Sequence, residues 1–208
     1  MSSIEDEGLR IRSRGRLPHW EANRSTYFIT FRLADSLPAN ILESYHFERI
    51  DIVQTARKLG RQLRPMEINR LEELYSRRVE CYLDSGAGTC HLANPRIAEI
   101  VLENLRNFNG VKYRLIAWCI MPNHVHLILQ PLGDNQLPSF LHSCMSYTAK
   151  RANSILGQEG SFWQREYYDH LVRDEADFDR VVAYLLDNPA KAGLSDWPWV
   201  GCIEADNV

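Results

Sequence analysis

The residues best suited to chemistry gather in three short segments. The first is His124-Val125-His126-Leu127-Ile128-Leu129. Side chains alternate across an extended strand, so His124, His126 and Ile128 fall on one face and Val125, Leu127 and Leu129 on the other. Two imidazoles on one face, two residues apart, can reach a single divalent ion. The apolar set would bury the strand's other side against helices. The same spacing also fits two strand histidines with ordinary hydrogen bonds. The second segment is Val181-Val182-Ala183-Tyr184-Leu185-Leu186-Asp187-Asn188. Helical spacing puts Tyr184 and Asn188 one turn apart on one face, beside a core stripe of Phe178, Val181, Val182, Leu185 and Leu186. A phenol there could attack a phosphate held near the sheet, and the amide oxygen of Asn188 could complete a metal site. The structural alternatives are a half-buried tyrosine with a satisfied hydroxyl and a helix-ending asparagine before Pro189. The third segment, Phe162-Trp163-Gln164-Arg165-Glu166-Tyr167-Tyr168-Asp169-His170, offers aromatic faces for base stacking and a cation, Arg165, for phosphate. Trp163 suits either stacking or a core. Lys150 and Arg151, and the alternating Arg10, Arg12, Arg14 and Arg16 near the start, are further DNA-contact candidates, each also readable as solvated charge.

These segments need elements to hold them. Tyr27 to Leu33 is aromatic and β-branched and reads as a strand. Residues 40–83 are highly charged with helical spacing, broken at Gly60 and Pro65, and read as an inserted helical pair, with Leu71, Leu74 and Tyr75 on one face. The insertion as a whole spans 40–90, within a single domain of residues 1–208. Asn94 and Pro95 start a helix as cap and first-turn residue, and Ile97, Ile100, Val101, Leu105 and Phe108 form its buried stripe. Tyr113 to Ile120 and His124 to Gln130 read as strands joined by Met121-Pro122-Asn123. Leu137 to Leu156 reads as a long helix closed by Gly157, Ser161 to Arg173 as a fourth strand, and Asp174 to Asn188 as a last helix stopped by Pro189. Without the insertion the order is β-α-β-β-α-β. This predicts an α+β, ferredoxin-like antiparallel sheet with an extra C-terminal helix that carries the tyrosine.

Composition narrows the class. The 208 residues carry a formal net charge of −3, so bulk charge does not announce a nucleic-acid binder, and any such surface must be a local patch. The five cysteines, Cys81, Cys90, Cys119, Cys144 and Cys202, are odd in number and contain no C-x-x-C pair. Neither a disulfide framework nor a thiolate zinc site is expected, and the thiols fit a reduced, cytoplasmic setting. No apolar run is long enough to span a membrane, and the polar start lacks the apolar centre of a signal peptide.

Three blocks then carry a resemblance over nearly the whole chain. Met121-Pro122-Asn123-His124-Val125-His126-Leu127, Phe162-Trp163-Gln164-Arg165, and Tyr184-Leu185-Leu186-Asp187-Asn188-Pro189-Ala190-Lys191-Ala192-Gly193-Leu194 resemble the motifs of REP-associated tyrosine transposases. These belong to the single-tyrosine HUH superfamily, named for its His-hydrophobic-His pair. The strand Tyr27 to Leu33, Tyr82-Leu83-Asp84-Ser85-Gly86 and the tail Ser195-Asp196-Trp197-Pro198-Trp199 join the likeness. The resemblance implies a DNA transposase with His124 and His126 as ligands of Mg²⁺ or Mn²⁺ and Tyr184 as nucleophile. Asn188 stands where related enzymes often carry glutamine as third ligand. It implies single-stranded DNA bearing REP-type hairpins as substrate, cleaved through a 5′-phosphotyrosine that leaves a free 3′ hydroxyl and is rejoined without ATP. It implies a monomer or homodimer with Tyr184 acting in cis or in trans, no membrane partner, and association with the nucleoid when on DNA. A non-catalytic single-strand-binding ferredoxin-like module and a water-using metal hydrolase remain as alternatives. The sequence identifies no general base.

Overall fold

The computed structural model describes residues 10–14, 17–21, 25–74 and 79–203. Five strands form one sheet: β3 (Tyr27–Arg32), β4 (Tyr113–Ile120), β5 (His124–Pro131), β6 (Tyr168–Leu171) and β7 (Val200–Cys202), in the order β6-β3-β5-β4-β7. Every neighbouring pair is antiparallel. The first four with helices α4 (Pro95–Asn107) and α5 (Leu137–Leu156) make the expected ferredoxin-like β-α-β-β-α-β unit. Between β3 and α4 lie α1 (Ala39–Lys58), α2 (Pro65–Leu74) and the short α3 (Cys81–Asp84). Helix α6 (Glu175–Lys191) follows β6.

Strand alternation divides the core in two. Ile29, Phe31, Val125, Leu127 and Leu129 face α4 and α5 and are buried with Val101, Leu105 and Leu141. Phe28, Ala117, Cys119 and Ile128 face the other way and are covered by Val181 and Leu185 of α6. Both faces of β5 are buried, and each fully buried aliphatic side chain contributes about 1.5–3 kcal/mol through its removal from water. The α4 start behaves as its residues dictate: the Asn94 side chain accepts from the Arg96 amide and Pro95 occupies the first turn. Of the expected stripe, Ile97, Val101 and Leu105 are buried, while Ile100 and Phe108 are partly covered.

Several boundaries differ from the expectations. The arginine-rich start is paired: β1 (Arg10–Arg14) and β2 (Leu17–Glu21) form an antiparallel hairpin, with Arg12 opposite His19 and Arg14 opposite Leu17. Arg16 and Tyr75 lie outside the described residues. The expected fourth strand shrinks to Tyr168–Leu171. Its first half is a loop held to β3 by a bridge between Leu33 and Trp163 and by the Gln164 amide donating to the Arg32 carbonyl at 2.8 Å. The last helix runs past Pro189 to Lys191. Proline removes one donor and normally ends a helix, but here the amides of Ala192, Gly193 and Leu194 donate to the carbonyls of Asn188, Ala190 and Pro189 and complete the turn. The expected stripe of α6 is rotated: Leu186 is 39 % exposed, whereas Asn188 and Pro189 are buried.

Strand β7 was not anticipated. A Cβ on Gly201 would lie 2.7 Å from Cζ2 of Trp118, so glycine is what lets β7 pair with β4 across the Trp118 ring. The indole of Trp197 donates to the Ile120 carbonyl at 2.7 Å and fastens the same tail. Gly88, at φ +91°, plays a comparable part in the insertion, where a Cβ would stand 2.8 Å from the Asp35 carbonyl oxygen.

Candidate active site

The sheet face under α6 carries the site. The β3–β5 register sets Thr30 opposite His126 and Arg32 opposite His124, so these four side chains share a face. Both histidines are fully buried. Their Nε2 atoms are 3.0 Å apart. Asn123 donates its amide N–H groups to the carbonyls of Leu83 (3.1 Å) and Ala87 (2.9 Å), so its Oδ1 must accept. His124 Nδ1 lies 2.7 Å from that oxygen and therefore carries a proton, which leaves the lone pair of the neutral ring on Nε2. His126 Nδ1 is hydrogen-bonded to Thr30 Oγ1 at 2.8 Å. Burial pushes the His126 imidazole down to about 3. Burial, then the neighbouring His126 and Arg32, holds His124 well below the ordinary histidine range. Both rings are thus uncharged at neutral pH, the form that binds metal.

Tyr184 comes to this pair from α6. Its ring centroid is 5.5 Å from that of His126 and 5.8 Å from that of Phe28, edge to face in both cases. The Nζ of Lys191 lies 4.9 Å from the centre of the tyrosine ring. Asn188, one turn further on, is fully buried, and neither its Oδ1 nor its Nδ2 has a hydrogen-bond partner. An unsatisfied buried amide costs about 1–3 kcal/mol, so native structures keep few of them, and those few call for an explanation. An oxygen-binding cation is one: Mg²⁺ holds its ligands at about 2.1 Å in an octahedron, whose edge is about 3.0 Å, the spacing of the two Nε2 atoms. Among the described residues no cluster of three or more His, Cys, Asp or Glu could hold a metal; the unpartnered amide of Asn188 is a further polar group that could serve as a donor. The residues present therefore fit a divalent ion.

Two groups that the sequence reading overlooked belong here. Arg32 is 4 % exposed beside His124 and brings positive charge to the floor of the site. Glu80, in a π-type turn just before α3, is raised by burial to about 7, a rise that Lys191 and Arg180 of α6 oppose. Arg32 could have been found from strand alternation, since it lies two residues from Thr30 at the end of β3. Glu80 carries only a weak local signal, a carboxylate four residues before Asp84.

The DNA-contact candidates separate. Arg165 is exposed on the loop that bonds to Arg32, at the His124 end of the sheet. That loop and α5 border an open groove of about 780 Å³ lined by His142, Trp163 and Arg165 among others. Trp163 is 6 % exposed, packs on Phe31 with ring centres 4.8 Å apart, and donates its indole N–H to Thr148 at 2.9 Å. It is a core residue with an edge on the groove rather than an open stacking platform. Lys150 and Arg151 are exposed on α5, which covers the opposite face of the sheet from the histidines. Arg12 and Arg14 stand on β1. No helix among the described residues is long and apolar enough to cross a membrane.

Part of the chain is similar in sequence to known proteins. Residues 92–188, which include both histidines, Tyr184 and Asn188, match the family model described as transposase IS200 like. A Haemophilus influenzae protein bearing the REP-associated tyrosine transposase name is 30 % identical over 107 residues, 42 % of this chain and 57 % of that protein. The REP-associated tyrosine transposase of Escherichia coli K12 is 29 % identical over 100 residues, 42 % of this chain and 53 % of the relative. The chain thus spans a little over half the length of these curated relatives. A solved structure of a REP-associated tyrosine transposase bound to a REP hairpin is 18 % identical, with a TM-score of 0.48, covering 91 % of this chain and 82 % of that one. Residues 92–188 are thus similar to IS200-like transposases, and part of the chain is similar to REP-associated tyrosine transposases.

Proposed function

We propose that the protein cleaves and rejoins single-stranded DNA at REP-type hairpins, with Tyr184 as the nucleophile and a divalent ion, Mg²⁺ or Mn²⁺, held by His124, His126 and Asn188. The observation that carries this reading is the convergence of two neutral, lone-pair-bearing imidazoles, 3.0 Å apart, with a tyrosine ring 5.5 Å from one of them. The bound ion would supply charge neutralisation and orientation at the scissile phosphate.

The protein's own groups supply the rest. Asn123 and Thr30 fix the ring orientations of His124 and His126 through their Nδ1 atoms, as outer partners of metal-binding histidines do. Arg32 adds fixed positive charge where a phosphodiester would lie, and burial strengthens its pull. Phe28 and His126 hold the Tyr184 ring from two sides, which limits its motion to a narrow approach. Attack of the phenol oxygen on phosphorus releases the 3′ oxygen and leaves the 5′ phosphate on Tyr184. The ester retains the phosphodiester's free energy, so a 3′ hydroxyl can reverse the step. Arg165, exposed at the His124 end of the sheet, would contact the strand outside the reacting phosphate.

The test is incubation of the protein with a labelled single-stranded REP-type hairpin and Mn²⁺, followed by a denaturing gel. The reading expects a protein-linked band that disappears in Tyr184→Phe while hairpin binding persists. A band of equal strength in that variant, or free nicked DNA with no linked species in the parent, would overturn it. The second outcome would favour a hydrolase that uses water, and binding with no cleavage at all would favour a pure binding module.

A further inference from the structure

We propose that the turn closing the helical insertion, residues 83–87, locks the His124 proton onto Nδ1 through Asn123 and so readies Nε2 of that ring for an ion. This rests on the reading of His124 as a metal ligand, and it gives the insertion a part in the site beyond surrounding it.

A neutral imidazole carries one proton, and only the nitrogen without it can bind a cation. The pair on β5 therefore has two arrangements. The Nε2 atoms are 3.0 Å apart, so that contact joins a proton from one ring to a lone pair of the other. With His124 protonated at Nδ1, its Nε2 accepts from His126 Nε2, and the Thr30 hydroxyl donates to His126 Nδ1. With His124 protonated at Nε2, every partner reverses: His124 Nδ1 needs a donor, and His126 Nδ1 donates to Thr30. Thr30 does not choose between them, because its hydroxyl donates or accepts equally well across the same 2.8 Å. The choice falls to Asn123. An amide is nearly symmetric in shape, and turned end for end it would offer His124 a donor in place of an acceptor. The turn prevents this. Asn123 is fully buried, and its Nδ2 lies 3.1 Å from the Leu83 carbonyl and 2.9 Å from the Ala87 carbonyl. Reversed, the amide oxygen would face two carbonyl oxygens and lose both bonds, where each unpaired buried group is costly. Oδ1 is thereby held toward His124 Nδ1, 2.7 Å away.

The two carbonyls are themselves fixed from several sides. Leu83 is buried with Leu37 and Val79, and its carbonyl also closes the turn by accepting from the Gly86 amide at 3.0 Å. Past the turn, the Thr89 amide donates to the Asp35 carboxylate at 2.8 Å. The Leu92 amide donates to the Pro122 carbonyl at 3.0 Å, one residue before Asn123, and the Asn123 carbonyl accepts from Leu33 at 2.9 Å. Asn123 is thus where the insertion, the end of β3 and the start of β5 meet. A clamp on the turn would need only the two bonds to its carbonyls; the bond to His124 converts that fixed position into a fixed tautomer. His126 stays adjustable. Its proton can pass to Nδ1, where the Thr30 hydroxyl then accepts, so one ring is preset and the other adapts.

The experiment is nitrogen NMR of the protein carrying isotope-labelled histidine in EDTA, with His124 assigned by its loss in His124→Gln, beside calorimetric titration with Mn²⁺. The parent should show His124 protonated at Nδ1 and His126 at Nε2. Asn123→Leu keeps a similar shape and removes both polar atoms. His124 should then change to the Nε2-protonated form and His126 to the Nδ1-protonated form, and Mn²⁺ should bind about 10–100-fold more weakly. Gly88→Ala lies outside the site but sets a Cβ 2.8 Å from the Asp35 carbonyl oxygen, which must displace the turn. It should give a mixture of the two His124 forms and a smaller loss of Mn²⁺ affinity, and it carries the test if Asn123→Leu does not fold. A parent with His124 protonated at Nε2 overturns the lock. So do variants that melt lower yet keep the parent's tautomers and Mn²⁺ affinity, which would make Asn123 a clamp on the turn and nothing more. A parent that shows the expected tautomers, changed by both substitutions, and binds no Mn²⁺ upholds the lock and overturns the metal reading instead.

Discussion

Asn188 offers a sharp perturbation because its amide is costly unless something binds it. The side chain is fully buried and both of its polar atoms lack partners. Leucine has a similar shape and no polar atoms. In the metal-free protein Asn188→Leu removes an unsatisfied amide worth about 1–3 kcal/mol of desolvation, offset in part by any overpacking. For a chain of this size each kcal/mol moves the midpoint by about 2–4 °C, so the variant should melt roughly 2–10 °C higher in EDTA. With Mn²⁺ the order should reverse. A ligand at one hundred times its dissociation constant adds about 2.7 kcal/mol to the native state, and the parent should gain most of this while the variant gains little. The assay is thermal unfolding by circular dichroism in EDTA and across a Mn²⁺ titration. A variant that is less stable than the parent in EDTA would mean the amide is satisfied in the native protein. A variant that keeps the full Mn²⁺ shift would mean it is not a ligand.

Other outcomes follow from the same structure. The His126 imidazole, ordinarily near 6.5, is held down to about 3 when folded, so the unfolded chain binds a proton that the folded chain refuses. The resulting stability is complete above pH 6.5 and is lost as pH falls toward 3, at about 1.4 kcal/mol per unit; urea titrations should show His126→Gln with a shallower acid slope than the parent. Replacing Gly201 by alanine sets a Cβ 2.7 Å from the Trp118 ring and should cost about 1–3 kcal/mol, with a change in near-ultraviolet dichroism; an unchanged melting curve would show that β7 is not docked as described. Arg165→Ala should weaken hairpin affinity at low salt and reduce the slope of log affinity against log salt by about one unit. A parallel slope would remove Arg165 from the phosphate contacts.

How much the sequence reveals depends on whether the signal is local. The ferredoxin-like core was legible because strand alternation and helix periodicity record burial directly: Val125, Leu127 and Leu129 on one face of β5 and the histidines on the other follow from spacing alone. The histidine pair and Tyr184 were legible for the same reason, each lying on one face of a strongly periodic element. The rest depends on tertiary partners. Trp163 suited either a stacking surface or a core, and what decides for the core is that its indole finds Thr148 fifteen residues earlier, a pairing that no periodicity encodes. The helix passes Pro189 because the next three amides find carbonyls within the turn. β7 has only three residues and pairs because Gly201 admits the Trp118 ring. Glu80 was hidden among many charges of the insertion, and the burial that raises it appears only when the chain folds.

The most direct test of the central claim is peptide mass spectrometry of the protein after reaction with the single-stranded hairpin and nuclease trimming. The account predicts a nucleotide attached through its 5′ phosphate to the peptide containing Tyr184, and no other modified tyrosine. A phosphate found on a different residue, or unmodified protein beside cleaved DNA, would contradict it.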